Sequence, residues 1–163
     1  MENKFDEIEK LIKQVKECNN INNFYYEGNL KSNILFVNSI SINKNNKFYK
    51  TKISKLFNNA INIIGYKIDD VCLITFIENK EDFNNQKNHV TEKIENDNCN
   101  KIIVLGNYSK NLIFNNEYKV EDIRGNLINE DKLSYIVTWN LLELLNDQNK
   151  KEDFIYDLKK ILD

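Results

Sequence analysis

Short apolar runs alternate along this chain with segments whose apolar residues recur every three or four positions. Phe5, Ile8, Leu11, Ile12 and Val15 show the second pattern and predict an amphipathic helix within residues 1–20. Four compact apolar runs follow, Asn33–Asn38 (NILFVN), Val71–Ile77 (VCLITFI), Lys101–Leu105 (KIIVL) and Leu133–Thr138 (LSYIVT), and each predicts a buried strand. Helical spacing fills the intervals: Thr51–Ile64 stopped by Gly65, a segment around Val90–Ile94, Asn107–Phe114, and a closing Phe154–Leu162. Strand and helix alternate throughout, so the expected fold class is α/β, a three-layer αβα arrangement around a central, mostly parallel four-stranded sheet. No repeat or linker interrupts the pattern, and 163 residues suit a single domain over 1–163. Ligands of such sheets gather at the carboxyl ends of the strands, here the turns after Asn38, Thr75, Gly106 and Thr138.

Composition narrows the picture. Asn, Lys and Ile dominate, proline is absent, and one arginine stands among 23 basic residues. This is the bias of an AT-rich genome, so most of the asparagines carry no functional meaning. Three widely spaced cysteines (Cys18, Cys72, Cys99) fit neither a disulfide framework nor a metal pattern. With a charged N-terminal segment and no long apolar window, the expectation is a cytoplasmic protein without membrane, metal or cofactor. The net charge of −2 gives no global attraction to nucleic acid, but its distribution is uneven. No acid occurs between Glu27 and Asp69, where Lys31, Lys44, Lys47, Lys50, Lys52, Lys55 and Lys67 lie. The Lys44–Lys55 segment is therefore the candidate surface for DNA or for an acidic protein. The only histidine, His89, is expected at the surface, and Asp69-Asp70 is expected to serve a turn.

Several short motifs, taken in order, resemble the uracil-DNA glycosylase superfamily, closest to the family 4 (iron–sulfur, thermophile-type) enzymes. The resemblance covers residues 27–162. It rests on Glu27-Gly28-Asn29 before the first strand, Phe48-Tyr49-Lys50 with Ser54-Lys55-Leu56-Phe57, Leu73-Ile74-Thr75, Leu105-Gly106, Arg124-Gly125 and Thr138. All four glycines and the single arginine fall on positions where the family carries the same residue.

The resemblance implies a uracil-DNA-glycosylase-like, DNA-repair-related fold, and it also implies where chemistry has been lost. Such enzymes flip a uracil from the duplex, stack it on an aromatic ring, read its edge, and stabilise the departing anion while water attacks. The loop that carries a carboxylate in the family is here Asn38-Ser39-Ile40-Ser41-Ile42, and a lone serine is a poor general base. Tyr49 takes the place of the stacking ring. Phe76 replaces the uracil-reading asparagine, and Asn140 the histidine that supports the leaving anion. Of the four cysteines that would hold an iron–sulfur cluster, only Cys18 lies near a matching position, and Lys80 stands where the third would be. The expectation is a degenerate glycosylase-like protein without base excision, acting as a binding or structural module, with Ser39, Tyr49, Phe76 and Asn140 as vestigial pocket positions. Lys44, Lys47, Lys50, Lys52, Lys55 and Arg124 are its candidate contacts to DNA or a partner. Two alternatives stand beside it. One is a divergent glycosylase whose open pocket joins Ser39, Tyr49, Phe76 and Asn140. The other is a small-ligand-binding flavodoxin-like domain, for which strand order is the expected discriminator.

Overall fold

The computed structural model describes residues 23–114 and 117–163. The helix expected over residues 5–15 lies outside these residues, as does Cys18. Along the described chain run β1 (Phe24–Gly28), β2 (Ile34–Ile40), α1 (Lys47–Ile63), β3 (Cys72–Ile77), α2 (Phe83–Asn96), β4 (Lys101–Leu105), α3 (Gly106–Ile113), α4 (Val120–Ile123), β5 (Ile128–Glu130), β6 (Leu133–Thr138), α5 (Leu141–Leu144) and α6 (Gln148–Leu162).

The chain is an α/β protein with one mixed sheet of six strands in the order β1-β3-β2-β4-β6-β5, not the four strands expected. The four expected strands form its parallel centre, while β1 and β5 pair antiparallel at the two edges. The edge strands escape a hydrophobic reading because β1 (FYYEG) is mostly half-exposed and β5 (INE) wholly exposed. All seven residues of β2 are buried, as a central strand covered on both faces requires.

Alternation along the strands divides the core. Phe36 faces Phe57 of α1, with ring centroids 4.8 Å apart, and Thr138 on the same face reaches Asp157 of α6. The opposite face carries Phe76 against His89 of α2 and Tyr135 against Phe114 at the end of α3. Phe36, Phe57, Phe76 and Phe154 are fully buried, and truncating any one of them to alanine costs about 3–5 kcal/mol.

The starts of α1 and α6 are set by side-chain caps more than by periodicity. Asn46 accepts from the Tyr49 amide at 3.1 Å, and Asp147 accepts from the Lys150 amide at 3.1 Å. These caps begin α1 and α6 several residues ahead of the first core-facing apolar position.

Counted along the chain, the parallel strands lie in the order 2-1-3-4. The flavodoxin-like doubly wound order begins the same way. Strand order therefore does not discriminate against a flavodoxin-like domain, contrary to expectation.

Candidate functional site

The chain order reverses between β2 and β4, and in doubly wound sheets the crevice at the carboxyl ends of two such strands receives the ligand. Here Asn140 stands in it. Its Nδ2 donates to the Ser39 carbonyl at 2.7 Å and to Ser39 Oγ at 3.2 Å, while its Oδ1 accepts from the Leu142 amide at 2.9 Å and caps α5. Gly106, at φ +90°, makes the approach possible, because a Cβ there would lie 2.9 Å from the Asn140 Cβ. Both N–H donors of Asn140 are thus directed at Ser39, and neither remains for a base. Beneath, Asn38 Oδ1 accepts from the Leu141 amide at 3.4 Å. Asn38 Nδ2 and Ser109 Oγ have no hydrogen-bond partner among the described residues, and both are buried.

The structure brings Ser39 and Asn140 together, sets Phe76 beside Ser39 as its register partner on β3, and separates Tyr49 from them. Phe76 is fully buried in an aromatic cluster, its ring 5.7 Å from Phe24 and 6.4 Å from His89. Tyr49 lies at the start of α1, against the opposite face of the sheet, where its hydroxyl accepts from Lys44 Nζ at 2.8 Å. Ser39, Phe76 and Leu141 are 1%, 0% and 0% exposed, so the four positions line no common open space.

His89 is not the surface residue expected. It is half-buried, its ring stacks on Phe24 at 4.1 Å, and its Nε2 is 2.6 Å from the Tyr26 hydroxyl. Burial holds its pKa below the ordinary histidine value. Burial also pushes the Cys72 thiol up to about 11 and raises Cys99, so neither is a ready nucleophile. Asp70, as expected, serves a turn, accepting from the Lys67 amide at 2.8 Å.

Sequence reasoning passed over Glu78. It follows β3 directly, its amide donates to the Ile40 carbonyl at 2.8 Å, and burial raises its carboxyl pKa. An acid closing an apolar strand was the available signal. No nucleophile or second carboxylate is bonded to it among the described residues, so no acid–base pair forms there.

The lysine segment presents a surface. Phe48, Lys52 and Lys55 fall on one face of α1 at successive helical turns, and Phe48 is 59% exposed. The Lys52 ammonium stands 4.3 Å from the Phe48 ring centroid, Lys44 lies 4.4 Å over Tyr49, and Lys50 lies 4.5 Å over Tyr25. With Tyr49, Asn59, Leu145, Asn146 and Lys151 this face forms an open cleft of about 380 Å³ that no carboxylate lines. Among the described residues none of Lys44, Lys47, Lys50, Lys52 or Lys55 is paired with an acid. Lys47 and Lys50 also occupy the first turn of α1, where the helix dipole disfavours positive charge and no acid compensates.

Arg124, expected beside these lysines as a contact for DNA or a partner, is committed internally. Its Nη1 donates to both oxygens of the fully buried Asp157 at 2.9 and 2.8 Å, and its Nη2 lies 3.2 Å from Asp153. Thr138 Oγ1 donates to Asp157 at 2.6 Å, so the group ties β6 to α6. Gly125 passes close beneath, where an added Cβ would lie 2.6 Å from Asp157 Oδ1.

The chain matches no family model and no curated protein. Among the described residues no helix is long and apolar enough to cross a membrane, and no three His, Cys, Asp or Glu side chains are placed to share a metal ion.

Proposed function

We propose that this chain is a nucleic-acid-binding module with a three-layer, uracil-DNA-glycosylase-like fold that binds without excising a base. The observation that carries the reading is the acid-free aromatic and lysine surface on the first half of α1. Single-stranded nucleic acid is held by just this combination of cations that follow the backbone and rings on which bases stack. An exposed Phe48 flanked by Lys52 and Lys55 supplies both.

Loss of chemistry is supported by the state of the crevice. Asn140 is occupied by Ser39, the Ser39 hydroxyl has no basic partner, and Phe76 offers no hydrogen bond to a base edge. The resemblance to glycosylases rests on motif order alone, and the parallel strand order is compatible with it. An acidic protein partner would use the lysines but has no need of the aromatic rings.

The test is a uracil-containing oligonucleotide, single-stranded and duplex, with binding and base release followed together. The reading expects salt-sensitive binding and no time-dependent release of uracil. Release that disappears in Glu78→Gln or Asn140→Ala would establish an enzyme in its place. Binding to an acidic peptide without binding to DNA would assign the surface to a protein.

A further inference from the structure

A second concave surface lies next to the lysine face and has a different character. It runs between the C-terminal half of α1 and α6, a groove of about 470 Å³. Its floor and walls are apolar, formed by Leu56, Ala60, Ile63, Leu144, Ile155 and Tyr156. Ile63 and Tyr156 are 67% and 62% exposed, so two large apolar side chains on facing helices stand in solvent across one groove. Lys151 and Lys159 border it, and Glu152 is the one carboxylate along it.

We infer that this groove docks an amphipathic helix of a partner protein, with apolar residues on one face and acidic residues on its flanks. The length fits: about two turns of α1 and three of α6 form the walls, enough for apolar anchors at i, i+3, i+4 and i+7. The sign of the charge selects the partner, because flanking carboxylates meet Lys151 and Lys159. A second copy of this chain is disfavoured by the same charges. A two-fold contact would set the lysine border of one groove against that of the other. Nucleic acid is disfavoured by the apolar floor, which offers no polar group to a phosphate. The groove adjoins the proposed DNA surface and shares Leu56, Asn59 and Lys151 with it, but Ile63 and Tyr156 line only this cleft, so Ile63→Asp reports on the groove alone.

Two synthetic helical peptides of about 16 residues, sharing one leucine face and flanked by glutamate in one and lysine in the other, test the inference by fluorescence anisotropy against the full chain. The glutamate peptide is expected to bind at least about tenfold more tightly than its lysine twin, and the Lys151→Glu/Lys159→Glu variant to reverse that preference. Ile63→Asp, at an exposed position that leaves the core intact, should weaken binding about tenfold or more. Circular dichroism of each variant checks that the fold is retained. Equal affinity for the two peptides, no binding of either, or no effect of Ile63→Asp overturns the inference. So does self-association of the wild-type chain in sedimentation equilibrium that Ile63→Asp abolishes, because a second copy would then own the groove.

Discussion

Asn140 gives the sharpest test of how the carboxyl end of the sheet works. If the side chain is a structural clamp across the ends of β2, β4 and β6, removing it must cost stability. If it were aimed at an absent ligand, removal would cost little. Asn140→Ala deletes two contacts to Ser39, at 2.7 and 3.2 Å, and the 2.9 Å cap on the Leu142 amide. The Ser39 pair contributes about 1–2 kcal/mol and the cap about 1 kcal/mol, a total of about 2–3 kcal/mol. For a chain of this length that lowers the thermal midpoint by about 5–10 °C. Asn140→Asp separates the parts, because it keeps the acceptor for Leu142 but sets a carboxylate against the Ser39 carbonyl. It is therefore expected to destabilise as well, in spite of an intact cap. The assay is thermal and urea unfolding followed by circular dichroism, with two-state behaviour checked by a second probe. A midpoint for Asn140→Ala within about 1 °C of wild type would refute the clamp and reopen the crevice as a ligand site.

Further expectations follow from other parts of the fold. Asp157→Ala strands Arg124 and Thr138 and should cost about 2–4 kcal/mol in urea unfolding, and Arg124→Lys, which loses the two-pronged contact, should cost less. Gly125→Ala combines a φ of +78° with a 2.6 Å clash on Asp157 Oδ1 and is expected to destabilise by about 1–3 kcal/mol; a neutral result would show that the turn can relax. His89 titrates below its ordinary value in the fold, so the unfolded chain takes up the proton first as pH falls. Its contribution is present above about pH 6.5 and lost below, and His89→Phe should flatten the pH dependence of unfolding between about pH 7.5 and 5.5.

Much of the fold was legible from hydrophobic runs alone. The four parallel strands bury both faces, so their sequences read as continuous apolar stretches with little to confuse them. What was missed has no apolar signature: β1 and β5 sit at the edges, and the first turns of α1 and α6 depend on single capping residues, Asn46 and Asp147. The candidate site was legible only in part. The sequence could place Ser39, Phe76 and Asn140 near strand ends. It could not tell that Phe76, beside Ser39 in the register of β2 against β3, is sealed into an aromatic cluster with Phe24 and His89. Arg124 illustrates the same limit, since a lone arginine before a glycine reads as a surface cation until Asp157, 33 positions later, is folded beside it. His89 was misjudged for a similar reason, its partners Phe24 and Tyr26 coming from an edge strand with no apolar run.

The central claim is binding through the lysine and aromatic face of α1, and the salt dependence of single-stranded DNA binding tests it most directly. Affinity for a short oligonucleotide is measured by fluorescence anisotropy from about 50 to 200 mM salt. Wild type is compared with a Lys47→Gln/Lys50→Gln/Lys52→Gln/Lys55→Gln variant and with Phe48→Ala. Each lysine that meets a phosphate adds about 0.7 to the slope of log affinity against log salt, so the fourfold variant, which removes Lys52 and Lys55 from the Phe48 face, should flatten the slope by at least about 1.4. Phe48→Ala should weaken binding about fivefold to a hundredfold through lost stacking while leaving the slope nearly unchanged. Identical slopes for wild type and the lysine variant, or no measurable binding by wild type at about 50 mM salt, would contradict the account.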